Sequence, residues 1–280
     1  MKSLPMKNYI LLFLGFNILL QPVGYAQDKT LRYEVLLNNR MLGDSIKNRS
    51  LTTCLDLSPE KFITISDGSQ VYLLGWGGIT SIGNKSNQNI NSFAYSSDGL
   101  LFAVAGNQLC HIGKTGNWKS LVSLPSSQMS ISGGKDVMYI YDHSPNNGKY
   151  HAYVLAKGGK YRNLFTSPET VNGICELGDS VYIAIASGLY SYSPQTGKLS
   201  SLFALEKENV ITSLSADTEQ LILYFSTATA IYALKNSSLV KITADFPNSI
   251  IKFSGTGLLI FNPLEKDILH IVNVAESIEF

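Results

Sequence analysis

Residues 90–124 read INSFAYSSDGLLFAVAGNQLCHIGKTGNWKSLVSL. Four short runs rich in β-branched and aromatic residues stand out: Ile90 to Tyr95, Leu100 to Ala105, Leu109 to Ile112 and Trp118 to Leu124. Between them lie Ser96-Ser97-Asp98-Gly99, Gly106-Asn107 and Lys114-Thr115-Gly116-Asn117. Branched and aromatic side chains suit a pleated surface, while Gly and Asn accept the positive φ of tight reversals. The stretch therefore predicts four strands joined by short turns.

The same order returns downstream. Met129 to Ile131, Val137 to Tyr141, Tyr150 to Ala156 and Tyr161 to Phe165 make a second copy. Val171 to Leu177, Val181 to Ala186, Gly188 to Tyr192 and Leu199 to Leu205 make a third. Val210 to Leu214, Leu221 to Phe225, Ile231 to Leu234 and Leu239 to Ile242 make a fourth. Ile250 to Phe253, Gly257 to Phe261 and Ile268 to Val272 form a copy with three strands. Upstream, Phe62 to Ile65, Val71 to Leu74 and Ile79 to Ile82 form another that also lacks a fourth.

Taking the third run of each copy as a ruler, the first apolar residues are Ile79, Leu109, Ala152, Leu189, Ile231 and Ile268. They are spaced 30, 43, 37, 42 and 37 residues apart. Four-stranded units at this period mark a β-propeller, in which each blade buries its faces against its neighbours. A β-sandwich and a β-helix are the competing all-β readings. The count gives six blades, or seven if Leu51 to Leu57 and the short first unit hide further strands. Leu31 to Leu37 is a strand-like run with no blade of its own. It is expected to complete the last copy and close the ring, which removes a free sheet edge. Residues 39–50 are polar and read as a linker or excursion.

Residues 1–26 have the layout of a secretory signal peptide. Lys2 and Lys7 are basic, Tyr9 to Leu20 is mostly apolar, and Gly24-Tyr25-Ala26 offers small residues before Gln27. Twelve apolar residues are too few for a membrane anchor, which needs about 20. The expectation is a single propeller domain over residues 27–280, periplasmic or extracellular, with no membrane span after cleavage. The three cysteines, Cys54, Cys110 and Cys175, are odd in number and lack Cys-x-x-Cys spacing, so they read as small buried hydrophobes.

Composition narrows the partners. Of the 280 residues 45% are hydrophobic and 15% charged, and the formal charge is +1. So neutral a chain offers no field for phosphate, which argues against nucleic acid, and its apolar content argues against disorder.

One copy carries a family resemblance. Ser187-Gly188-Leu189-Tyr190-Ser191-Tyr192-Ser193-Pro194-Gln195-Thr196-Gly197-Lys198-Leu199 resembles the recurrent stretch of NHL-like and sensor-type propellers. Trp76-Gly77-Gly78-Ile79 is similar to an element of two-component-regulator propeller repeats. The resemblance implies an exported β-propeller that binds a glycan, a peptide or a partner protein of the envelope or extracellular space.

No motif of catalysis accompanies it. His111, His143, His151 and His270 show no His-x-x-x-His spacing, and neither a Gly-x-Ser-x-Gly elbow nor a phosphate-binding Gly-rich loop occurs. No catalytic residue, cofactor or metal site is predicted. Two stretches are candidates for binding. Asp142-His143-Ser144-Pro145-Asn146-Asn147-Gly148 is the longest loop between strands; Asp142, His143 and Asn146 there could meet a partner or a cation, or simply form a lengthened Pro-Asn-Gly turn. Trp76, flanked by glycines, could stack on a sugar or pack between blades. The expected function is a non-catalytic binding or scaffold propeller outside the cytoplasm. The alternative is a propeller hydrolase or lyase, lactonase-like or glycan-lyase-like, with a divalent cation at the central channel.

Overall fold

The computed structural model describes residues 31–37, 54–75, 78–83, 86–113, 116–156, 161–262 and 265–280. They form six antiparallel sheets of four strands each, a six-bladed β-propeller. Blades two to five are each built from four consecutive strands, beginning at Ile90–Tyr95, Met129–Gly133, Val171–Leu177 and Ile211–Asp217.

Blade six closes the ring as the ownerless N-terminal run predicts. Ile250–Phe253, Gly257–Asn262 and Asp267–Val272 are joined on the outside by Tyr33–Leu37, which pairs antiparallel with Asp267–Val272. Tyr33 lies opposite Ile271, and Val35 opposite Leu269.

Blade one corrects one expectation. Its strands are Asp56–Leu57, Ile63–Ser66, Val71–Gly75 and Gly78–Ile82, so it has four and lacks none. The two-residue inner strand is too short to announce itself by pattern. Its omission moved every later strand of the copy inward by one place. Ile79 thus lies on the outer strand, and the third strand begins at Val71, 38 residues before Leu109. The short first gap therefore measures from an outer strand to a third one, and the described residues form six blades.

Burial explains which runs are continuously apolar. Second strands are sandwiched between blades on both faces, and Ile222–Thr227 is buried at all six positions. Inner strands face a neighbour on one side only, so Ile211–Asp217 alternates buried and half-buried. Outer strands such as Trp118–Ser123 are largely exposed. Between blades five and six, Ile222, Tyr224 and Ile231 pack on Ile251, Leu258 and Ile260. Across the closing seam, Leu259, Phe261 and Ile268 pack on Ile63 and Ile65.

Side chains at the hub latch blades one to two, two to three, three to four and five to six through the neighbour's backbone. The Cys54 thiol donates to Phe93 O at 3.2 Å, and the Ile131 amide donates to Ser92 Oγ at 3.1 Å. Ser132 Oγ donates to Ile174 O at 2.8 Å, and the amides of Ile251 and Phe253 donate to Ser213 Oγ and Ser215 Oγ at 3.2 and 2.8 Å. The partners are 38 to 42 residues apart, which is the blade period written in hydrogen bonds. Partner numbers rise together, from Ser213–Ile251 to Ser215–Phe253, so these inner strands run parallel around the axis. At the closing seam the tie is an ion pair: Lys252 Nζ lies 2.6 Å from Asp56 Oδ1, and Asp56 Oδ2 accepts the Tyr95 amide at 2.8 Å.

Candidate active site in the central channel

The six inner strands enclose an axial cavity of about 830 Å³. That lies within the ~300–1,000 Å³ typical of sites for a single small molecule. Because the inner strands run parallel, their first residues gather at one rim and their last at the other. The second residues of three consecutive inner strands, Ser130, Asn172 and Thr212, line the first rim. Asn172 and Thr212 fall at shifts of register, Val171/Gly173 and Ile211/Ser213, where a bulge re-aims a side chain. Thr212 Oγ1 is engaged with Ser226 Oγ at 2.9 Å. Among the described residues the Asn172 side chain makes no hydrogen bond, which leaves its donor and acceptor facing the cavity.

His143 joins this rim from the neighbouring strand of blade three. Tyr141 lies directly across from Ser130 in the ladder, and His143 is two residues further on, hence on the same face. Ser130 Oγ and His143 Nε2 lie 2.6 Å apart, and Tyr141 lines the cavity beside them. His143 is exposed at the rim, yet the protein atoms around it desolvate the ring and push its pKa below the ordinary 6.5. At neutral pH the imidazole is uncharged and can accept a proton. Burial pushes the Tyr141 phenol upward, so it stays protonated.

Strand alternation separates the other candidates. Asp142 points away from the channel and is fully buried; its Oδ2 accepts the His151 amide at 3.1 Å and lies 3.2 Å from His151 Nδ1. Burial raises its pKa, with the hydrogen bonds from His151 pulling the other way. Asn146 is exposed and pairs with Lys149 across a reversal in which Asn147 and Gly148 both have positive φ, 53° and 71°. That part of the loop is the lengthened Asn-Gly turn, a hairpin of the type such dipeptides favour. Trp76 lies outside the described residues. Of the three described candidates, Asp142, His143 and Asn146, the structure brings His143 to the cavity. Its partner Ser130 escapes sequence reasoning because the two are linked by ladder register across 13 positions, within a strand that reads as unremarkable.

The cavity also holds two thiols and one ion pair. Burial pushes the Cys54 thiol up to about 11 and the Cys175 thiol up to about 12, so both stay protonated and poorly nucleophilic. For Lys252, burial disfavours the charge, but the adjacent Asp56 carboxylate outweighs it and the pKa rises. At the second rim, Glu176 accepts from the Tyr139 hydroxyl at 2.6 Å and from the Lys135 amide at 2.7 Å.

These arrangements do not suit the divalent cation carried by the lactonase-like alternative. Asp56 is neutralised by Lys252, and Glu176 is occupied by two donors. Among the described residues no three of His, Cys, Asp and Glu converge as metal ligands.

No protein-family model matches the sequence, and no curated protein matches it by sequence. Solved structures do resemble it. A gluconolactonase from Xanthomonas campestris has a TM-score of 0.69 at 11% identity, over 88% of this chain and 91% of that one. A second candidate gluconolactonase has a TM-score of 0.67 at 12% identity, over 88% and 93%. The extracellular domain of a hybrid two-component system from B. thetaiotaomicron has a TM-score of 0.56 at 17% identity, over 85% of this chain and 39% of that one. At these identities the likeness is one of fold. It includes a sensor propeller, in keeping with the resemblance read from the repeats. The expectation of a non-catalytic binding or scaffold propeller is corrected, because the two gluconolactonases match along nearly their whole length and favour the lactonase-like alternative. The sequence hid this because the residues at a propeller axis come from distant blades and form no local motif. Among the described residues no helix is long and apolar enough to cross a membrane.

Proposed function

We propose that this protein is a propeller hydrolase that opens a lactone in its central channel, and that it acts outside the cytoplasm after loss of residues 1–26. One observation carries the reading: a neutral imidazole, His143, held 2.6 Å from a hydroxyl at the rim of a cavity sized for one small molecule. General-base hydrolysis needs a base within hydrogen-bond reach of the proton it takes, with a pKa near or below working pH. The rim is rich in hydroxyl and amide groups, which favours a polyhydroxylated, sugar-derived lactone. The two gluconolactonase folds support the same substrate class. The export layout of residues 1–26 supports the compartment.

The test is a screen of five- and six-membered sugar lactones against the purified protein, following acid release in weakly buffered indicator. The expected result is turnover well above spontaneous opening on at least one of them. Rates equal to the blank across the panel would overturn the reading.

A further inference from the structure

We infer that Ser130 is the nucleophile of this hydrolase, with His143 as its base, so that the lactone is opened through a covalent acyl-enzyme made by this chain's own side chains. The inference rests on the hydrolase reading and deepens it. Three observations carry it. The Ser130–His143 distance of 2.6 Å is a full hydrogen bond between a hydroxyl and a ring nitrogen. Both groups line the cavity, and Ser130 is half-buried, so a bound carbonyl can reach it. Unlike the cavity's other hydroxyls at Ser92, Ser132, Ser213 and Ser215, Ser130 latches no neighbouring blade.

A control contact within the molecule sharpens the choice. Ser254 Oγ also lies near a histidine, 3.2 Å from His270 Nε2. It donates to Gly257 O at 3.0 Å and accepts the Gly257 amide at 3.2 Å, which makes it a lock on a hairpin outside the cavity. The two axial thiols sit in the same cavity but stay protonated. The pairing of hydroxyl, base and access is met at Ser130.

The chemistry balances as follows. As the Ser130 Oγ bonds to the lactone carbonyl carbon, its proton passes to His143 Nε2. The ring C–O bond breaks, and the departing ring oxygen takes that proton to become the open-chain hydroxyl. Water then attacks the Ser130 ester with His143 as base. The Oγ–C bond breaks, Ser130 recovers its proton, and a hydroxy acid leaves. Asn172, on the next blade at the same rim, supplies the uncommitted amide donor there.

The experiment has two arms on the full chain. In the first, the protein is treated with a fluorophosphonate probe and the adduct is located by peptide mass spectrometry. In the second, Ser130→Ala is compared with wild type in lactone turnover, with and without a chelator; circular dichroism and melting verify the fold. The expected results are an adduct on Ser130 that Ser130→Ala lacks, a rate loss of at least about a hundredfold, and no effect of the chelator. Turnover by Ser130→Ala within a few-fold of wild type, or no adduct on Ser130, overturns the assignment. Labelling of Ser130 without turnover of any lactone leaves the nucleophile standing and rejects the lactone reading, so the two failures are distinguishable.

Discussion

At the scale of single residues, the site depends on which face of a strand each side chain takes. Tyr141 and His143 point to the channel, whereas Asp142 between them points away and is buried against His151. His143 was legible in the sequence as a member of the longest loop between strands, a candidate to meet a partner or a cation. Its role was not, since that depends on Ser130 lying opposite Tyr141 in the neighbouring strand. The thiols were legible only as small apolar residues; what the structure adds is their place on the cavity wall and the burial that keeps them protonated. The lowered pKa of His143 has a definite consequence for rate. A base works when deprotonated, so activity is constant through neutral pH and falls as pH drops through a value below 6.5. A pH–rate profile of kcat/KM, which reports the free enzyme's base, checks this. An acid limb centred above pH 7 would assign the base to another group.

At the scale of elements, the propeller is held at its hub by short inner strands that touch. Five latches tie inner-strand side chains to the next blade's backbone, and one ion pair spans the closing seam. The blade period was readable because second and third strands are long and apolar. The inner strand of blade one was not, because two residues carry no periodicity. Close approach at the hub makes some glycines irreplaceable. A methyl at Gly133 would overlap the backbone carbonyl of Tyr95 on the adjacent blade. Backbone cannot yield as a flexible side-chain tip can. Gly133→Ala should therefore lower stability by roughly 1–3 kcal/mol, the range for overpacking a tight site. Chemical denaturation of the variant and wild type measures the difference. A change under about 0.3 kcal/mol would show that the inner strands are not in such contact.

At the scale of the whole molecule, ring closure and the axial cavity are one design. Pairing Tyr33–Leu37 with Asp267–Val272 joins the first and last described strands in a single sheet, which lets six inner strands surround one space. That closure was legible as an unowned strand at one end and an incomplete copy at the other. The function was not, since channel residues come from all six blades and no spacing in sequence relates them. The central claim is that a lactone is opened in this channel by a base at its rim. The most direct measurement is the initial rate of lactone opening at pH 7.5 for wild type and His143→Gln side by side, with melting temperatures recorded for both. The account predicts a loss of about a hundredfold or more with little change in melting, in line with the ~10²–10⁴ contributed by a positioned base. Equal rates from the two proteins would contradict it.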